Sequence, residues 1–243
     1  MKRILFAGAV SIAAATQAFA ADLPPPMAPP PRAPAAYVPV APPWSWSGIY
    51  IGLNGGYGFG NSTWSTSTLA IASGSFSTNG PQFGVTVGGN YQIGQLVLGL
   101  EGDYDWQNIR GTNTSAPCSS IGINFGGGAG GCDTASNWIA TFRGRVGYAF
   151  DRLMVYGTAG GAGTDIKTSS GSLPWASSTE FGWTAGGGVE GAITDNLLAK
   201  VEYLYADFGN ATCSSSTNCG VPNATVSLKE SMVRVGLNYK FDY

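Results

Sequence analysis

The chain has 243 residues, of which charged types make up only 11%, against ~25% in soluble domains, while Gly occurs 37 times and His not at all. A net charge of −2 with no Lys/Arg cluster argues against a nucleic-acid partner. Mean hydropathy is near zero and no long apolar run follows the N-terminus, which excludes a bundle of membrane helices, each needing ~20 apolar residues; a membrane β-barrel needs only alternation.

Residues 1–20 read as a signal peptide. Lys2 and Arg3 supply the positive start, Ile4 to Ala15 the apolar stretch, and Ala18-Phe19-Ala20 the small-x-small cleavage site. Residues 21–45 form a Pro-rich linker, with Pro at 24–26, 29–31, 34, 39, 42 and 43. Such a run favours extended polyproline II and reads as a periplasmic spacer.

From residue 46 to 243 the chain alternates with period two, which predicts strands. Ile49, Ile51, Leu53, Tyr57 and Phe59 oppose Tyr50, Gly52, Asn54, Gly56 and Gly58. Phe83, Val85, Val87 and Tyr91 oppose Gln82, Gly84, Thr86 and Asn90. Leu96, Leu98, Leu100, Tyr104 and Trp106 oppose Gly99, Glu101, Asp103 and Asp105. Trp138, Phe142, Val146, Tyr148 and Phe150 oppose Thr141, Arg143 and Arg145. A fifth strand, about Leu153 to Thr164, has no clear faces. Phe181, Trp183 and Val189 then oppose Glu180, Thr184 and Glu190; Leu197, Val201, Tyr203 and Tyr205 oppose Lys200 and Glu202; Val233, Val235, Leu237, Tyr239 and Phe241 oppose Arg234, Asn238 and Lys240.

The expected fold is therefore all-β, an eight-stranded antiparallel up-and-down transmembrane β-barrel. In hydrocarbon every backbone N–H and C=O must be paired, so the sheet must close. Bulk faces lipid, and glycine and charge face the lumen. Short turns near 93–95, 151–152 and 194–196 alternate with long loops expected at 61–75, 107–136, 165–179 and 209–226. This asymmetry places the long loops outside and both termini in the periplasm. Aromatic residues near strand ends, Trp44, Trp46 and Tyr50 among them, suggest interface girdles.

The Gly-aromatic motifs form a recognisable set: Trp46-Ser47-Gly48-Ile49-Tyr50-Ile51-Gly52-Leu53-Asn54-Gly55-Gly56-Tyr57-Gly58, Gly99-Leu100-Glu101-Gly102-Asp103-Tyr104, Arg143-Gly144-Arg145-Val146-Gly147-Tyr148, Lys200-Val201-Glu202-Tyr203-Leu204-Tyr205 and Val235-Gly236-Leu237-Asn238-Tyr239-Lys240-Phe241. In that order they resemble the RopB-type outer-membrane β-barrel proteins of alphaproteobacteria, porin-like major surface proteins. The resemblance implies an eight-stranded barrel, surface exposure and the capacity to form homo-oligomers. It implies no catalytic residue.

The candidate interior charge network comprises Glu101, Asp103, Arg143, Arg145, Glu190, Lys200, Glu202 and Arg234, with Asp105 and Glu180 on the same faces. Hairpin register brings Glu101 near Arg143, and Lys200 and Glu202 near Arg234. Isolated charges in a narrow lumen are costly, so pairing is expected. Paired, they plug the lumen; left open, they line a small porin for hydrophilic solutes. Cys118 and Cys132 fall in the second long loop, Cys213 and Cys219 in the fourth. An exported chain with an even Cys count suggests disulfides, and local pairing, 118–132 and 213–219, is favoured among three connectivities.

Neither a metal site nor a cofactor is expected: His is absent and the Cys spacings are not those of zinc motifs. Nor does Gly126 to Gly131 open a helix or carry a following Lys-Ser/Thr, as a phosphate loop would. Hydrolysis near neutral pH usually calls on His as general base. Without it, catalysis would rest on carboxylates such as Asp103, Asp105 or Glu190, and the expectation is a non-enzyme. Its partners are expected to be outer-membrane lipid and lipopolysaccharide. A soluble secreted barrel or sandwich with a ligand pocket is the competing architecture.

Overall fold

The computed structural model describes residues 44–66, 71–114, 131–170, 175–213 and 224–241. Eight strands follow one another: β1 Gly48–Thr66, β2 Ile71–Ile93, β3 Leu96–Asn113, β4 Cys132–Phe150, β5 Leu153–Ser170, β6 Ala176–Ala192, β7 Leu197–Cys213 and β8 Ala224–Phe241. Each pairs antiparallel with its chain neighbours, and β1 pairs with β8 from Ile49↔Phe241 to Thr66↔Ala224, which closes the barrel.

The tight connections follow from local chemistry. Gly94 adopts φ +61° between β2 and β3, and Asp151 φ +57° between β4 and β5; Gly and Asp are among the residues that tolerate the left-handed region. At the opposite end the strands outrun the sequence-based expectation. They reach 17–23 residues, about twice the ~9–11 that cross a bilayer. The expected long loops at 61–75, 107–136, 165–179 and 209–226 shrink to 67–70, 114–131, 171–175 and 214–223. The recovered segments, such as Gly60-Asn61-Ser62-Thr63 and Ser75-Phe76-Ser77-Thr78, are rich in Ser, Thr and Asn. Beyond the lipid neither face must be apolar, so no hydrophobic alternation marks them, although the ladder of hydrogen bonds continues.

The outward surface carries the bulk. Leu53, Phe83, Leu100, Phe142, Val146, Val201 and Val235 are all exposed. Rings gather at both margins of this apolar belt. Tyr148 stacks near Phe150 at 4.8 Å and Tyr239 near Phe241 at 5.1 Å on the short-turn side; Tyr104 meets Trp106 at 5.1 Å and Trp183 meets Tyr205 at 5.5 Å on the other. Amphipathic rings favour the two membrane interfaces. On β8 the belt runs from Val233 to Phe241, which at ~3.4 Å per residue and ~40° tilt spans roughly 20 Å.

The inward surface is not uniformly polar. A cluster at the short-turn end joins Trp46, Val97, Ala149, Met154, Tyr156 and Leu198. Another at the opposite end includes Phe76, Ile139, Ile166, Leu204, Phe208 and Met232. Trp46 and Tyr50, grouped by sequence with the interface aromatics, instead lie fully buried inside the barrel. The β5 faces resolve as well: Met154, Tyr156 and Thr158 point in, Leu153 and Val155 out.

Candidate functional site

Between the two apolar clusters lies a charged waist. Neighbouring strands supply it through the period-two alternation, with Glu101, Asp103 and Asp105 on β3, Arg143 and Arg145 on β4, Glu190 on β6, Lys200 and Glu202 on β7, and Arg234 on β8. All nine are buried.

Arg143 bridges three carboxylates: Nη2 lies 2.7 Å from Glu101 Oε1 and 2.5 Å from Asp103 Oδ2, and Nη1 3.1 Å from Glu202 Oε1. Arg145 reaches Glu190 Oε2 at 2.6 Å and Glu101 Oε2 at 3.3 Å, with its guanidinium 4.0 Å from the Tyr156 ring centroid. Arg234 joins Asp105 Oδ2 at 2.6 Å and Glu202 Oε2 at 2.5 Å. Lys200 Nζ meets Glu101 Oε2 at 2.9 Å.

Neutral donors complete the shells. Tyr50 donates to Glu101 at 2.8 Å, Tyr156 to Glu202 at 2.9 Å, Asn238 to Glu190 at 2.7 Å, and Thr86 and Thr141 to the two oxygens of Asp103. Taking ions out of water costs several kcal/mol each, recovered only where geometry and additional hydrogen bonds are good; here every waist carboxylate has a cation in contact.

The waist spans the lumen. β3 and β7 stand on opposite sides of an eight-strand ring, yet Lys200 and Glu101 touch. Arg234 of β8 likewise crosses to Asp105 of β3. Inward glycines make these crossings feasible. A Cβ at Gly88 would collide with the Tyr50 phenol, one at Gly99 with the side chains of Asn90 and Arg145, and one at Gly56 with the backbone at Val233 and Arg234.

The register pairs Glu101 with Arg143 and Glu202 with Arg234 directly. Lys200 faces Gly236, two residues from Arg234, and its amine reaches across to Glu101. Glu180 stands apart from the waist, half-buried, its Oε1 accepting from Ser178 Oγ at 2.6 Å. Two further interior residues escaped sequence reasoning. Tyr156 lies on the strand whose faces were ambiguous, and Glu230 precedes the part of β8 where apolar alternation is clear.

Trp46 lies inside the short-turn mouth. Its indole N–H donates to the Asp151 carbonyl at 2.9 Å, and Trp44 Nε1 donates to the Asp195 carbonyl at 3.0 Å. Lys240 Nζ donates to the Ser45 carbonyl at 2.5 Å. Barrel contacts thus begin at Trp44, within the segment read as linker.

Cys118 and Cys219 lie outside the described residues, so both expected pairings do too. Cys132 and Cys213 are not loop residues: they open β4 and close β7. Among the described residues no group of three or more His, Cys, Asp or Glu side chains is placed to hold a metal ion.

With the closed barrel, its apolar belt and its charged interior established, the relatives fit. Residues 32–241 match the family described as outer membrane protein beta-barrel domain. The chain belongs to that family. It is 36% identical over 248 residues to the 25 kDa outer-membrane immunogenic protein of Brucella abortus biovar 1 (strain 9-941), covering 99% of each chain. It is 38% identical over 264 residues to the 31 kDa outer-membrane immunogenic protein of Brucella melitensis biotype 1, covering 99% of this chain and 100% of that one. The 22 kDa outer membrane protein of Rhizobium leguminosarum bv. viciae is 31% identical, over 85% of this chain and 83% of its own. This is the alphaproteobacterial barrel family that the Gly-aromatic motifs resemble, and it places the chain in the outer membrane.

Proposed function

We propose that this protein is a structural, surface-exposed barrel of the bacterial outer membrane, non-catalytic and closed to solutes. The four longer connections face the exterior and both termini face the periplasm, with residues 1–20 removed on export and 21–45 serving as a periplasmic spacer. Outer-membrane lipid and lipopolysaccharide are its surroundings, and homo-oligomers are compatible with its apolar belt.

The carrying observation is the contact of Lys200 with Glu101 across the full width of the ring at 2.9 Å. An eight-stranded barrel is only wide enough for its interior to fill with side chains, and here an ionic waist and two apolar clusters fill it. Catalysis gains no support from the waist, whose carboxylates are engaged by arginine and lysine. The Brucella relatives carry the name immunogenic protein, in keeping with display of the outer end.

Single-channel recording in planar bilayers, paired with liposome swelling, tests the reading. The expected result is no stable conductance and no uptake of small sugars. Large, reproducible openings from the folded monomer would sink it in favour of a small porin.

A further inference from the structure

Above the apolar belt the barrel wall has a break in its strand pairing. Among the described residues the β6–β7 ladder is the shortest in the ring, running from Ala192↔Leu198 only to Trp183↔Asp207. Both strands go on past that point with their other neighbours. β6 stays paired to β5 as far as Ala176↔Thr168, and β7 to β8 as far as Cys213↔Ala224. Residues 176–182 of β6 and 208–213 of β7 thus each carry one edge without a described partner strand.

Local chemistry accounts for the parting. Gly209 adopts φ +65°, and the pairing of β7 with β8 shifts register between Asp207 and Asn210. The Gly209 N–H donates to Asp207 Oδ1 at 2.9 Å rather than to a neighbouring strand. A bulge of this kind bends its strand and ends pairing on one side.

The side chains record the same opening. Glu180 and Ser178 share the inward face of β6, and their partners across the β5 ladder, Thr164 and Ile166, are buried at 0% and 2% exposure. Glu180 and Ser178 are nevertheless half-exposed. Glu180 accepts from Ser178 Oγ at 2.6 Å, and no described Lys or Arg forms an ion pair with it. On the outward face Phe181 is 79% exposed. The β2–β3 ladder also stops early, at Asn79↔Arg110, but there the inward Phe76 and Thr78 stay buried.

A row of unpaired backbone N–H and C=O groups is a template for a further strand. We infer that the outer edge of β6, residues 176–182, is a docking site for an extended peptide that adds as an antiparallel strand and carries a basic residue opposite Glu180. Main-chain hydrogen bonds supply affinity in such strand addition, and alternate side chains supply selectivity. Opposite charges directly across an antiparallel pair attract, and a residue opposite Phe181 faces outward beside the ring, where an apolar side chain packs. Opposite Thr179, on the same outward face, a β-branched residue fits the pleat. From its N-terminus the guest strand therefore runs apolar, basic, β-branched. In the orientation proposed above this edge opens to the exterior, although the site itself does not depend on that orientation.

The test uses the full refolded chain in detergent micelles and a fluorescein-labelled synthetic peptide, Thr-Phe-Lys-Val-Thr-Val, followed by anisotropy. Saturable binding of one peptide per chain is expected. A peptide with Glu in place of Lys should bind at least tenfold more weakly. So should one with Pro on both sides of the Lys, because Pro offers no N–H to the ladder. Glu180→Lys should reverse the preference between the Lys and Glu peptides. Amide exchange over residues 177–182 should be fast in the free chain and at least tenfold slower with the Lys peptide, a readout that serves if E180K does not fold. The docking site is ruled out by the absence of saturable binding or by equal binding of the three peptides. A preference that E180K leaves unreversed, or protection confined to other strands, rules it out as well.

Discussion

The indole N–H of Trp46 donates to the carbonyl of Asp151 at 2.9 Å, tying the segment before β1 to the β4–β5 turn on the far side of the barrel mouth. The ring itself is fully buried against Val97, Met154 and Leu198. Replacing it empties the largest side chain from the short-turn end. Trp46→Ala should cost about 3–5 kcal/mol, read as a lower midpoint in thermal band-shift electrophoresis. A change under about 1 kcal/mol would show that the mouth is not held by this residue.

Arg143 contacts three carboxylates, so its loss leaves uncompensated charge in the lumen. Arg143→Met should destabilise by about 3–5 kcal/mol in urea unfolding in lipid vesicles. Adding Glu202→Gln removes one of the stranded charges, and the double variant should lose less than the two single losses combined. Simple additivity would mean the two groups do not interact.

A Cβ on Gly88 would occupy the space of the Tyr50 phenol, which donates to Glu101. Gly88→Ala should therefore destabilise by about 1–3 kcal/mol. Tyr50→Ala introduced on that background should return part of the loss, because the clash disappears with the ring. Lack of any rescue would assign the cost to the backbone.

Phe142 projects outward from β4 at 66% exposure. In water such a position tolerates arginine; in lipid it does not. Phe142→Arg should cost about 2–4 kcal/mol near the bilayer midplane, measured by folding into vesicles of defined composition. A neutral result would contradict the placement of this face against hydrocarbon.

Mass mapping under non-reducing conditions should show Cys118 joined to Cys132 and Cys213 to Cys219. Free thiols or a cross-loop pair would refute the local pairing.

The parts legible in the sequence are those governed by nearest neighbours. Period-two alternation in Leu96-Val97-Leu98-Gly99-Leu100-Glu101 fixes which side chains meet lipid, and hairpin register then sets Glu101 beside Arg143. Contacts across the lumen depend on the stagger of the closed ring, which no single hairpin encodes; the reach of Lys200 to Glu101 was therefore not legible. Leu198, Leu204 and Phe208 were hidden for another reason. Parts of β7 are apolar on both faces, so alternation cannot announce that hydrophobic side chains also fill the ends of the lumen. The polar upper halves of the strands lack an apolar face and read as loop.

In the proposed orientation, the overshoot of the strands past the apolar belt gives the outer end the character of a stiff collar. Residues displayed side by side there, such as Asn61, Ser77 and Lys229, come from three different strands. Any antibody or phage fibre gripping that collar reads a discontinuous epitope, so short linear peptides copied from one strand should compete poorly and boiling should abolish recognition.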